Sequence, residues 1–184
     1  MNIKIDMDGV LTNWIEPALK LANVELTQEV KRRIKEGDSF DDIIVTWDNV
    51  SDNRDFTWWA ALEKLPWADE LVERASKLGN VSFLTSPGNI IKHTDTAAIA
   101  AYGKIKWCAK HFPNIPLVIS YEKYPCACRN SILVDDSMHK IEAFKKHGGN
   151  AFWWPNQYSF FDKDLDVQEV IGALIYNVEI CKKV

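Results

Sequence analysis

Five short, mainly apolar runs recur along the chain, at Ile3–Ile5, Val81–Leu84, Pro116–Ile119, Ile132–Val134 and Ala151–Trp153, interrupted only by Lys4 and Ser82. Each is short and rich in residues suited to a sheet buried on both faces, so each reads as a strand. Helical patterns separate them. Ala68–Leu78 stops at Gly79, Ile99–Phe112 stops at Pro113, Ser137–His147 stops at Gly148-Gly149, and Val167–Cys181 follows Asp162, Asp164 and Asp166. Strands and helices in alternation fold as a parallel sheet covered on both sides. The expected fold class is therefore α/β, a doubly wound, five-stranded, Rossmann-like sheet, with its chemistry beyond the carboxyl ends of the strands.

One interval breaks the alternation. An ordinary crossover takes about 30 residues in all, yet residues 13–66 intervene between the first strand and the helix that leads to the second. This segment reads as a mostly helical insertion, with Gly37 and Asp48-Asn49-Val50-Ser51-Asp52-Asn53 as breaks. It leaves the sheet at the edge where chemistry is expected, so residues 13–66 are expected to form a small cap on a core of residues 1–12 and 67–184. No internal repeat or low-complexity tract competes with this division.

Composition narrows the class of protein. The 184 residues, 47% apolar and 26% charged, have ordinary globular usage. A chain of this size buries about 70% of its extended surface, so its core needs no disulfide or metal staple. Cys108, Cys126, Cys128 and Cys181 lack zinc-site spacing and read as reduced structural thiols. A net charge of -4 without a basic run argues against duplex nucleic acid and anionic membrane as partners. No apolar stretch approaches the roughly 20 residues of a membrane span, and the first residues lack a signal-peptide layout. A cytoplasmic protein is expected; a homodimer is compatible with the sequence and not required by it.

The polar residues at the strand ends carry the chemistry. The first strand runs into Asp6-Met7-Asp8-Gly9, two carboxylates two residues apart with a glycine that lets the chain turn away. Such a pair repels unless a cation or a shared proton neutralises it. Taken alone, it also fits a simple turn. The second strand ends in Thr85-Ser86-Pro87-Gly88, whose hydroxyls and free N–H groups suit phosphate oxygens or, more plainly, a turn. The fourth ends in Asp135-Asp136, metal ligands or helix-capping acids. Lys104 is expected to open the helix before the third strand. Acids, hydroxyls, a lysine and two further acids then gather, in this order, at one sheet edge.

In this order the chain resembles a haloacid dehalogenase (HAD) superfamily phosphohydrolase, whose four motifs match Asp6-Met7-Asp8, Thr85, Lys104 and Asp135-Asp136. Phe56-Thr57-Trp58-Trp59, Leu65-Pro66-Trp67, Leu84-Thr85-Ser86-Pro87 and Leu133-Val134-Asp135-Asp136 are similar to the 5'(3')-deoxyribonucleotidase group, including its bacterial and phage members. The resemblance implies that Asp6 attacks phosphorus and Asp8 serves as general acid and base. It implies Mg2+ held by Asp6, the backbone carbonyl of Asp8, and Asp135 and Asp136, with Asp136 the direct ligand. Thr85, Ser86 and Lys104 would hold the phosphoryl oxygens. The implied partner is a small phosphorylated substrate, a nucleoside monophosphate.

Phe56, Trp58 and Trp59 lie within four residues on an expected helix, and at 100° per residue they cannot all face one core. Either two of them pack between cap and core, or Trp58 or Trp59 stacks on a nucleobase for about 1–3 kcal/mol. Asp162-x-Asp164-x-Asp166 lacks the glycine and the closing glutamate of a calcium loop and reads as the acidic start of a helix. The four histidines share no metal or triad spacing. A receiver-type signalling domain would place its hydroxyl and lysine after the second acid pair, and it lacks a cap. Three readings stay open: a phosphatase for sugar phosphates, one for nucleic-acid 3' ends, and a non-catalytic HAD-like module that binds nucleotide or protein.

Overall fold

The computed structural model describes residues 1–36, 55–88, 90–91 and 93–183. All five apolar runs form strands: β1 (Asn2–Ile5), β2 (Asn80–Thr85), β3 (Leu117–Ile119), β4 (Ser131–Asp135) and β5 (Asn150–Trp153). They make one parallel sheet in the order β3-β2-β1-β4-β5. β1 is central, and its register pairs Ile5 with Phe83 on one side and Val134 on the other. Asp6 therefore leaves the sheet level with Asp135 and beside the end of β2, which brings three distant stretches of sequence to one edge.

Side chains alternate across the sheet. Ile3, Ile5, Val81, Phe83, Ile132 and Val134 join the larger core, while Leu84 and Leu133 join Phe144 on the other face. Full burial of such a side chain contributes about 1.5–3 kcal/mol. Helices α4 (Ala68–Ser76), α5 (Thr94–His111), α6 (Met138–Lys146), α7 (Gln157–Phe161) and α8 (Val167–Cys181) cover the sheet, and the insertion carries α1 (Ile15–Leu21), α2 (Gln28–Glu36) and α3 (Phe56–Ala60). Gly37 and residues 48–53, expected as breaks, lie outside the described residues.

The insertion closes on itself where it leaves the core. Asn13 N donates to Glu63 O at 2.9 Å, Leu65 N donates to Leu11 O at 2.9 Å, and Thr12 bridges Lys64 in antiparallel fashion. Trp67 Nε1 donates to Val10 O and the buried Trp107 Nε1 to Leu62 O, so both strands of this neck are tied to the core. The acidic triplet divides its roles. Asp166 caps α8 through Gln168 N at 2.7 Å, whereas Asp162 and Asp164 pair with Lys31 and Lys35 of α2.

Two expectations are corrected. α5 starts at Thr94, not near Ile99, so Lys104 sits in its middle and does not open it. The missed residues 94–98 bury only Ala97, which does not register as an apolar stripe. The five-residue α7 was not expected; it is shorter than the two turns that periodicity needs. The four cysteines are free thiols. Among the described residues no helix is long and apolar enough to cross a membrane.

Candidate active site

The loop after β1 places the first two acids. Met7 is buried in the core and its carbonyl accepts from Leu11 N and Thr12 N, which curls the chain into a tight turn. Gly9 makes the turn possible in two ways. Its φ is +76°, and a Cβ there would overlap the Asp136 carboxylate. Asp6 is buried and accepts from the N–H of Met7, while the half-buried Asp8 accepts from Thr12 Oγ1 at 3.4 Å.

Each acid has its own lysine. Lys104 Nζ, 1% exposed, donates to Asp8 Oδ2 at 2.5 Å, Thr85 Oγ1 at 3.0 Å and Ser86 O at 2.6 Å. Since Thr85 accepts this bond, its own O–H is left to donate. The Ser86 hydroxyl points back to Tyr121 O and accepts from Gly88 N, so it shapes the turn.

A second buried lysine, Lys123, bridges Asp6 Oδ1 and Asp135 Oδ2 at 2.6 Å each. The sequence reading passes over it because Ser120-Tyr121-Glu122-Lys123 looks like a solvated loop. The available signal was its position in the short link between β3 and β4, which leaves the carboxyl end of β3 at the acidic edge. Asp135 Oδ1 is taken by the N–H of Ser137, so both its oxygens are engaged. Ser137 occupies the N-cap of α6 as expected, but its side chain turns to His139 and does not cap.

The electrostatics follow from this crowding. Burial alone would raise the Asp6 carboxyl, but Lys123, Lys140 and Lys104 outweigh it and hold Asp6 below the usual carboxylate range. Asp136 goes the other way: burial, Asp135 and Asp6 push it well above that range, and Lys140 and Lys123 offset this only in part. Burial would lower Lys140, yet Asp6, Asp135, Asp136 and Asp8 hold its ammonium above its ordinary value. Lys140 is thus a third cation of the site that sequence reading misses, one turn into α6.

Asp6, Asp135 and Asp136 each offer a carboxylate oxygen, all within 4.8 Å of one another. A set of hard oxygen donors this close, one of them destabilised as an anion, fits a hard divalent cation such as magnesium. The Asp8 carboxylate is not in this group; it faces Lys104.

The expected aromatic residues separate. Trp59 is buried, lies edge to face with Trp58 at 4.8 Å, and puts its ring 5.0 Å from Lys104 Nζ. Trp58 is half-buried, and Phe56 is exposed and packs on Tyr102 at 5.0 Å. The alternative in which two of them pack against the core therefore describes Trp59 and Trp58, with Phe56 the exposed one.

Comparison with known proteins adds to this geometry. Residues 1–160 match the family described as 5' nucleotidase, deoxy (pyrimidine), cytosolic type C. No curated protein gives a significant match. Among solved structures the chain is similar to a hydrolase from Pseudomonas syringae, at 17% identity over 92% of this chain and 88% of that one with a TM-score of 0.48. It is similar to the HAD-hydrolase YfnB from Bacillus subtilis bound to magnesium, at 13% identity over 83% and 85% with a TM-score of 0.45. A HAD family enzyme from Bacteroides thetaiotaomicron, in complex with magnesium and inorganic phosphate, matches at 14% identity over 85% and 94% with a TM-score of 0.47. With the ends of β1, β2 and β4 delivering acids and a hydroxyl to one edge, Lys104 reaching it from the middle of α5 and Lys123 from the loop after β3, and the family match spanning that whole edge, the chain belongs to the type C 5'-nucleotidase family and is an enzyme of the phosphatase class.

Proposed function

We propose that the chain hydrolyses (deoxy)nucleoside monophosphates through an aspartyl-phosphate on Asp6, with Mg2+ as its cofactor. The observation that carries this reading is the division of labour between the two acids of Asp6-Met7-Asp8. Asp6 is kept ionised by Lys123, as a nucleophile requires, while Asp8 lies on Lys104 beside Thr85, where a leaving group's oxygen would be met.

The steps balance on these residues. An Asp6 oxygen bonds to phosphorus as the bond to the nucleoside oxygen breaks, and Asp8 gives that oxygen a proton. Asp8 then takes a proton from water, the water oxygen bonds to phosphorus, and Asp6 leaves as carboxylate with release of inorganic phosphate. Thr85 O–H, Lys104 and Lys123 supply donors and positive charge for the transferring oxygens. Asp6, Asp135 and Asp136 would hold the magnesium ion, which when bound supplies charge neutralisation for a dianionic substrate in an acidic site. The family description supports the nucleotide part. We propose residues 13–66 as the cap that carries this specificity.

The test is hydrolysis by the purified protein of a panel of nucleoside monophosphates, sugar phosphates and 3'-phosphorylated oligonucleotides. Turnover of the nucleotides should depend on magnesium, cease in chelator, and fall on the order of 10²-fold or more in Asp6→Asn. Full turnover in chelator, wild-type turnover by Asp6→Asn, or a preference for sugar phosphates would overturn the corresponding part.

A further inference from the structure

We propose that Trp59 is a positioning residue for Lys104, its indole face and the missing side chain of Gly103 together fixing the lysine ammonium on Asp8, Thr85 and Ser86. The inference rests on the reading of Lys104 as part of the phosphate site.

Three observations carry it. First, Lys104 is fully buried in the middle of α5, and its ammonium hydrogens are matched by three acceptors, Asp8 Oδ2, Thr85 Oγ1 and Ser86 O. The Trp59 ring lies 5.0 Å from that nitrogen and gives it a further, directionally undemanding source of negative potential that excludes water. Second, Trp59 reaches this place only because α3 lies directly on α5. A Cβ at Gly103 would overlap Trp59 Cβ and come within 2.6 Å of Phe56 O, so the residue before Lys104 is a glycine on a helix face where any side chain would push α3 away. Third, the Trp59 ring is buried by Trp58 and the core, which removes it as a surface for a nucleobase and leaves the lysine as its functional neighbour.

A long lysine stem otherwise has many rotamers, and fixing it costs conformational entropy. An aromatic wall beside the ammonium selects the rotamer in which all three acceptors are reached. α3 belongs to the insertion, so the insertion would touch the reacting phosphate through a core residue, with no atom of Trp59 in contact with substrate.

The experiment is a double-mutant cycle read on two substrates, a nucleoside monophosphate and a small phosphate ester that carries no base. Trp59→Leu should lower kcat on the order of 10-fold on both, and Trp59→Phe should recover most of it. Lys104→Met should lower kcat on the order of 10²-fold, and adding Trp59→Leu to it should cost less than about 3-fold more. Gly103→Ala, which strengthens the helix propensity of α5 while displacing α3, should behave like Trp59→Leu and keeps the test alive if that variant does not fold. A loss confined to the nucleotide would make Trp59 a base contact and overturn the proposal. Equal losses from Trp59→Leu with and without Lys104 would reduce it to packing and overturn it as well. Wild-type turnover by Lys104→Met would instead remove Lys104 from the phosphate site, a failure of the underlying reading that the cycle displays separately.

Discussion

Lys123 and Lys104 are both buried lysines, and each ammonium is ion-paired with carboxylate, Lys123 with Asp6 and Asp135 and Lys104 with Asp8. Their positions are not equivalent. Lys123 joins Asp6 to Asp135 and so belongs to the acidic cluster, while Lys104 joins Asp8 to the hydroxyl of Thr85. Removing one partner from a buried ionic cluster leaves uncompensated charge, which typically costs about 3–5 kcal/mol. Lys123→Met should therefore lower the unfolding free energy of metal-free protein by about that amount, measured by urea titration in chelator. Magnesium should return part of the loss, since a divalent cation meets the same oxygens. A change below about 1 kcal/mol, the usual effect of an exposed pair, would mean that Lys123 does not carry the charge balance of the site.

At the scale of elements, two of the described helices within residues 13–66 are held to the core by different physics. α3 is packed on α5 by apolar contact, whereas α2 is held by Lys31 and Lys35 to Asp162 and Asp164, while Gln157 and Tyr158 of α7 bond Asn13 and Glu16 at the start of α1. These ion pairs are partly exposed, so salt screens them. Hydrogen exchange of α2 amides should quicken in Asp162→Asn and, in wild type, with added salt, while β1 and β4 stay unchanged; the variant should lose most of its response to salt. Unaltered α2 exchange in both cases would show that apolar contact alone holds it. This second attachment also marks what was legible beforehand. Short apolar runs identified all five strands, because a parallel sheet covered by helices collects such residues. Asp6, Asp8, Thr85 and Asp135-Asp136 were legible as strand-end residues, since topology alone brings strand ends together. Lys123, Lys140 and the clasp on Asp162 and Asp164 were not, because they are chosen by tertiary contact between segments that each read as an ordinary solvated loop or helix face.

For the molecule as a whole, the acidic edge sets stability against function. Asp136 is pushed well above its ordinary 3.8 by burial and by Asp135 and Asp6, so the folded protein binds this proton more tightly than the unfolded chain. Linkage then fixes the sign: stability falls as pH rises from 3.8 through the raised value, and the full loss is reached above it. Asp6 acts oppositely and in another window, since its value is lowered and its contribution disappears only as pH falls below 3.8. Substitution isolates the Asp136 effect from every other titrating group. In chelator, Asp136→Asn should gain stability relative to wild type as pH rises from about 4 toward neutrality, because the amide never becomes charged. Saturating magnesium at neutral pH should reverse the order. A ligand at 100 times its Kd stabilises the folded state by about 2.7 kcal/mol, and only wild type retains all three carboxylates to bind it. Binding should also release a proton wherever Asp136 is still protonated, so the apparent affinity should rise with pH over the window in which metal-free stability falls. Thermal unfolding of both proteins across pH, with chelator and with magnesium, measures all of this. Parallel pH profiles in chelator would overturn the raised proton affinity of Asp136, and equal magnesium shifts would remove it from the cation site.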